Sequence, residues 1–367
     1  MKKERKPVDY IFLTISFVII FAGVLAFFSA SLGVLARNES EFYSTVLSQT
    51  VLGLIGGLCA MYIFARIPIS FLRKYATVIL ISSICLTALV FVPHLGFMHG
   101  GARRWVTLLG FSFQPVEVLK IAFVIYLSAW LSWAKKKVEN PLFGILPVIV
   151  VLGVIAGVLL LQPDTKSLIL MASTGIALLF LSGTPIKHLL MMGGVTVAIF
   201  IVLAIHTPYL TQRVATFLNP ANDPDGSSYQ LQQSLIAIGS GKVTGRGFGQ
   251  SIQKFSYLPE PQGDSIFAVI GEEVGFVGST IIVLLYILFA MRGLWIAGKC
   301  ADGFSGLLAA GLVILITLQS FMNIASITGL FPLTGVPLVF MSQGGTSLLI
   351  SLAAVGIILG ISRDRKA

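Results

Sequence analysis

Asp264 is the side chain with the most chemistry open to it. It ends the stretch KFSYLPEPQGD and stands immediately before the apolar run SIFAVIGEEVGF. Pro259, Pro261 and Gly263 stiffen and bend the approach. Two readings compete. An Asp followed by Ser at the start of an apolar run is a helix N-cap. A carboxylate at the end of a rigid turn is also suited to act as a general base. Glu260 is a neighbouring acid that suits a bound cation, whereas Glu272 and Glu273, about two helical turns deeper, read as structural.

A second group lies in apolar sequence. Glu117 and Lys120 are three apart and share a helix face. An ionisable group inside a membrane costs at least about 2.5 kcal/mol, so each needs a reason to be there. They read as an internal ion pair with Asp164 of QPDTKS as a third member, or with Lys120 beside a polar cavity. Gln162-Pro163 breaks the helix and frees backbone groups near that carboxylate. Arg103 and Arg104 are either solvated charges or an anion site, because guanidinium forks suit phosphate oxygens. Trp105 beside them reads as an interfacial anchor. His94, His99, His188 and His206 are scattered, and Cys59, Cys85 and Cys300 form no CxxC pair. Neither a metal site nor a disulfide framework follows.

These residues are positioned by lipid-facing helices. Of 367 residues, 56% are hydrophobic and 11% charged, with mean hydropathy +0.93. Soluble domains carry roughly 25% charged residues. The fold class expected is an all-α integral membrane protein in one domain. A crossing needs about 20 apolar residues, which predicts ten spans near 10–32, 45–65, 75–92, 115–134, 143–161, 166–183, 188–206, 266–291, 305–328 and 344–362. The first apolar run is too long for a signal-peptide core and reads as a retained helix. With the N-terminus inside, inner segments carry sixteen Lys and Arg and outer segments eight. That asymmetry predicts both termini in the cytoplasm. The net charge of +10 therefore reports topology and not nucleic-acid binding, since the basic residues sit at helix ends.

Residues 207–265 then form a long extracytoplasmic loop between spans seven and eight. Loops of this length are usually functional. Within it YQLQQSLIAIGSG predicts an amphipathic helix with Leu231, Leu235 and Ile238 on one side. The following GKVTGRGFGQS is glycine-rich but is not a P-loop, because Val243 stands where Ser or Thr is required.

Several strings together are specific: GARRWVTLLGFSFQPVEVLK, LLQPD, RVATFLNPANDPDGSSYQLQQSLIAIGSG, GFGQSIQKFSYLPEPQGDSIFAVIGEEVGFVG, NIASITGLFPLTGVPLVFMSQGGTSLL and the final GISR. In this order they resemble the SEDS family (shape, elongation, division and sporulation), the peptidoglycan polymerases of FtsW and RodA type. QSIQKFSYLPEP and GISR resemble the cell-division type more. Three departures stand out. Gln262-Gly263 precede Asp264 where the family has a His-Thr-like pair, Lys166 stands at a usual Gly, and Gln343 at a usual aromatic.

The resemblance implies a glycosyltransferase that extends glycan strands from lipid II at the outer face of the bacterial cytoplasmic membrane. It implies Asp264 as catalytic base, and Arg103, Arg104, Lys120, Arg213, Lys254 and Glu260 as the substrate-binding set. It also implies a divalent cation (Mg or Mn) as cofactor. The implied partners are a class B penicillin-binding protein and other divisome or elongasome membrane proteins. Two other functions compete, a lipid II flippase and a non-catalytic scaffold for the partner enzyme.

Overall fold

The computed structural model describes residues 7–93, 95–99, 102–108, 111–218 and 227–364. Helices dominate because the apolar segments must satisfy their backbone groups internally when lipid replaces water. In chain order they are α1 (Tyr10–Leu35), α2 (Glu39–Leu47), α3 (Gly57–Phe64), α4 (Ile69–Lys74), α5 (Ala76–Ala88), α6 (Pro115–Ala134), α7 (Ile145–Leu161), α8 (Thr165–Leu181), α9 (Ile186–His206), α10 (Pro208–Leu218), α11 (Ser227–Ser240), α12 (Gln253–Ser256), α13 (Ile266–Gly298), α14 (Gly303–Ile327) and α15 (Gly345–Ser362). A π-helical stretch, Ser48–Gly56, joins α2 to α3 as one continuous helix.

Among the described residues six helices are long and apolar enough to cross a membrane, and four shorter apolar helices occupy the remaining expected positions. The chain is a multi-pass membrane protein. Starts are set by local chemistry. Asp9 caps α1 through the Phe12 N–H at 2.9 Å, and Pro115 takes the first turn of α6, where its missing N–H costs nothing. α6, α14 and α15 are the most buried spans. α15 packs on α3, and α14 packs on α6, α8 and α13.

One feature departs from the all-α expectation and a second from the expected spans. Residues 96–113 build a three-stranded antiparallel sheet in the order β1 (Gly96–His99), β2 (Ala102–Leu108), β3 (Phe111–Phe113). β3 runs through Gln114 straight into α6, so the sheet is anchored over the start of that helix. The second departure is α13, which extends to Gly298 with a break at Gly275 (φ 65°, ψ −164°). The glycine-rich segment docks on this break. Arg246 and Gly247 N–H groups donate to the Glu272 and Glu273 carbonyls, and Phe276 and Val277 donate to the Lys242 and Val243 carbonyls. A β-carbon on Gly245 would lie 2.1 Å from the Glu273 carbonyl oxygen, so only glycine allows this approach. The loop thus satisfies backbone groups that the kink frees.

The long loop between α9 and α13 is largely helical, as α10, α11 and α12. Residues 219–226 of it lie outside the described residues. In α11 the inward face is Ser228, Leu231, Ser234 and Ala237, whereas Leu235 is exposed. The inward stripe is therefore built of small residues that pack closely on α13, and only Leu231 of the expected face is deeply buried. Both ends of the described chain meet: the Asp9 N–H donates to Ser362 Oγ at 3.0 Å, and Arg292 bridges to the Asp9 carboxylate at 2.8 Å.

Candidate active site

The site is built from a strained turn and the segment that clamps it. Glu260 has φ 45°, a left-handed conformation that costs a non-glycine residue about 1–3 kcal/mol unless its surroundings impose it. Its carbonyl accepts from the N–H of Gly263 at 2.9 Å and of Ser265 at 3.3 Å. The segment between α14 and α15 supplies the outside constraint. Ser342 Oγ donates to the Gly263 carbonyl at 2.7 Å, and the Gln343 N–H donates to the Gln262 carbonyl at 2.7 Å. Asn323 Nδ2 donates to the carbonyls of both Asp264 (2.8 Å) and Val336 (2.7 Å). The backbone of Asp264 is thereby held while its side chain is not. Ser265, not Asp264, occupies the N-cap position of α13, and no side-chain cap bond forms there. The N-cap reading of Asp264 is thus not the one the chain adopts. Among the described residues nothing donates a hydrogen bond to its carboxylate.

That carboxylate borders a polar cavity of about 360 Å³, whose wall includes Glu260, Arg104, Trp105, Lys166, Gln343 and Ser347. Gly335 (φ 66°) forms one side. A β-carbon there would sit 3.0 Å from Asp264 Oδ2 and 3.5 Å from both terminal nitrogens of Arg213. Lys166 Nζ donates to the Gly335 carbonyl. Carboxylate, guanidinium and ammonium therefore converge on one glycine. Arg104 and Lys166 also line a neighbouring groove of about 130 Å³ together with Arg213. Beyond this neck, sharing Thr165, Ile169 and Phe200 with it, runs an apolar groove of about 170 Å³ between α7, α8 and α9. The order is acid, cations, hydrocarbon.

Of the candidates from sequence, Asp264, Glu260, Arg104 and Arg213 meet here, and Arg103, Glu117, Lys120, Asp164 and Lys254 do not join them. Arg103 is exposed and outside the cavity wall, because consecutive strand residues leave on opposite faces and Arg104 takes the inner one. Arg104 also ties β2 to the α7–α8 turn by donating to the Gln162 and Pro163 carbonyls. Lys120 is buried with Glu117 at 2.9 Å and Gln319 at 2.8 Å, so it holds α6 to α14 and lines neither the polar cavity nor the neck. Asp164 is not a third member of that pair. It is fully buried, caps α8 by accepting from the Ser167 N–H at 3.4 Å, and also accepts from Ser167 Oγ at 2.8 Å. Lys254 is equally buried, on Glu273 at 2.7 Å and Ser29 Oγ at 3.0 Å. Its charge is committed to the α1–α13 contact, where Glu272 also gathers Ser251, the Ile252 N–H and Arg246. Lys166, Gly335, Asn323 and Ser342 were missed as site residues. Lys166 gave a signal, a charge at the start of an apolar span.

The donor set bears on a metal. Two carboxylates, Asp264 and Glu260, line the cavity, but among the described residues no cluster of three or more His, Cys, Asp or Glu forms. Hard divalent cations want several oxygen ligands. Here Arg104 and Lys166 share the same wall and repel a second cation. These residues do not fit a protein-held divalent ion.

Comparison with known proteins agrees with the geometry. Residues 9–367 match the cell cycle protein family of FtsW, RodA and SpoVE. The chain is 37% identical to the probable peptidoglycan glycosyltransferase FtsW of Trichlorobacter lovleyi, over 99% of this chain and 96% of that one. It is 34% identical to stage V sporulation protein E of Bacillus subtilis, over 99% of each. Among solved structures it resembles a chain of a peptidoglycan synthase complex that coordinates polymerisation and crosslinking, with TM-score 0.79, 27% identity and 98% of each chain covered. It also resembles the rod shape determining protein RodA of Thermus thermophilus, with TM-score 0.68, 25% identity and 98% of each chain covered. Fold, match and site together make this chain a member of the FtsW/RodA/SpoVE family.

Proposed function

We propose that this chain is a peptidoglycan glycosyltransferase that polymerises lipid II at the outer face of the bacterial cytoplasmic membrane, for septal or lateral wall synthesis. One observation carries the reading: the order of carboxylate, basic neck and apolar groove matches the order of sugar, diphosphate and polyprenyl tail in such a substrate. An acceptor sugar hydroxyl attacks the anomeric carbon of the diphosphate-linked sugar. The new C–O bond forms as the bond to the diphosphate oxygen breaks. Asp264 takes the hydroxyl proton as general base. The leaving diphosphate keeps the electron pair, and the fixed cations of the neck oppose its growing charge. The anchored turn holds the base in place before reaction, which is where much of a transfer enzyme's advantage arises.

The polar groups deeper in the molecule favour polymerisation over transport. Glu117, Lys120 and Gln319 border a void of only about 20 Å³, room for a water and not for a sugar head group. A class B penicillin-binding protein, which crosslinks strands, is the partner that fits a polymerase of this kind. The basic asymmetry supports both termini in the cytoplasm, and the contact of Asp9 with Ser362 is consistent with both lying on one side.

The test is strand synthesis by purified chain and partner from labelled lipid II, resolved by gel. Asp264→Asn is expected to lower the rate by roughly 10²–10⁴-fold with melting temperature and partner binding unchanged. Full strand synthesis by Asp264→Asn would remove the base from this mechanism.

A further inference from the structure

Lys166 is placed against its own helix. It is the second residue of α8, where the helix dipole disfavours a cation by about 0.3–1 kcal/mol. The neighbouring carboxylate does not compensate it, because Asp164 is committed to Ser167. Among the described residues no carboxylate lies within 4 Å of Lys166 or of Arg104. A half-buried ammonium with no counter-ion carries a desolvation cost that helix stability does not explain. Its Nζ reaches the Gly335 carbonyl, which uses one of three donors. Lys166 is also common to the polar cavity and the neck. Arg213 and Asp264 stand against the same Gly335.

We propose that Lys166 is a diphosphate-binding residue: with Arg104 and Arg213 it supplies the positive charge for the substrate diphosphate, so that this chain needs no divalent metal for that task. The inference rests on the polymerase reading for its choice of ligand. Its physical basis is separate. Three fixed cations surround the neck, two of them have no carboxylate partner among the described residues, and the acids present are too few to hold a metal. An anion of high charge density is the ligand that completes the arrangement, and the apolar groove selects a lipid-linked one.

The experiment is binding of farnesyl diphosphate to the purified full chain in nanodiscs, with farnesyl monophosphate and farnesol as comparisons. Each is measured in excess EDTA and in millimolar magnesium. Wild type is expected to prefer the diphosphate and to bind it equally with and without metal. Lys166→Gln should weaken diphosphate binding in EDTA by about tenfold, the order expected for one charge-assisted hydrogen bond. Lys166→Arg should restore it. Lys166→Met, which keeps the apolar stem, serves if the glutamine variant melts early. Wild-type binding that vanishes in EDTA and returns with magnesium overturns the proposal. So does a Lys166→Gln chain that binds diphosphate as tightly as wild type. The polymerase reading fails separately: diphosphate bound as described, with no strands made from lipid II, sinks the polymerase and leaves Lys166 in its role. Strand synthesis silenced by EDTA and unaffected by Lys166→Gln does the reverse.

Discussion

Gly335 shows how little freedom the site leaves a single residue. Its positive φ disfavours any side chain, and a methyl there would stand 3.0 Å from Asp264 Oδ2. Gly335→Ala should fold, because the segment lies at a cavity edge, but it should displace the carboxylate. A misplacement near 1 Å costs about 10²-fold in rate, so strand synthesis by Gly335→Ala should fall on that scale, with melting lowered only modestly by the strain of a positive-φ alanine. Unchanged synthesis would show that Asp264 tolerates displacement. Cys300 is the residue where titration is informative. It lies in the α13–α14 connection, outside the spans, and burial first, then Asp302 and Asp364, push its thiol up to about 11. The thiolate is the reactive form, and the raised pKa keeps it scarce at neutral pH. Maleimide labelling of Cys300 should therefore be slow at pH 7 and climb with pH toward 11. Fast labelling at pH 7 would contradict the buried setting.

At the scale of elements, two buried charged contacts hold helices together. Glu117 and Lys120 join α6 to α14 through Gln319, and Glu117 also accepts from Ser347 Oγ of α15 at 3.2 Å. Lys120→Ala leaves a buried carboxylate without its cation, which typically costs about 3–5 kcal/mol. The double change Glu117→Gln with Lys120→Met removes both charges and should melt well above the single variant. If the double variant is as unstable as the two single changes combined, the pair is not the source of stability. The kink of α13 is the other case. Gly275 meets the backbone of Gly245 so closely that a β-carbon would lie 2.3 Å from its N–H nitrogen. Gly275→Ala should separate the loop from the helix and lower the melting temperature. An unchanged melting curve would mean that the backbone bonds between them contribute little.

Over the whole molecule, the surface near the glycine-rich segment reports orientation. Thr244 is exposed, whereas Ser228 is fully buried and would be a silent position. In a background without native cysteines, Thr244→Cys should react with a membrane-impermeant maleimide in intact cells. Ser228→Cys should stay unreactive even after permeabilisation. Reaction of Thr244→Cys only after permeabilisation would invert the molecule and put the cavity on the cytoplasmic face. The joining of Asp9 to Ser362 and Arg292 ties the two ends of the described chain to one side whichever orientation holds.

Sequence alone determined the membrane class, the segments that form apolar helices, and the acid at the end of the rigid turn. Each of these is local. Hydropathy is a transfer free energy read over one run of residues, and Pro259, Pro261 and Gly263 bend the chain where they stand. α6 begins and ends at the expected residues for that reason. The tertiary structure alone decided which charges meet. Arg213, Lys166 and Asp264 belong to three helical regions, and only the fold of the α14–α15 segment brings them to Gly335. Lys254 reads as a substrate contact in the sequence, whereas the fold encloses it between Glu273 and Ser29. Arg103 and Arg104 are identical in composition, and a strand pleat separates their roles. Side chains find partners according to helix rotation and strand alternation, which are set by close packing between segments far apart in sequence. No local pattern carries that information.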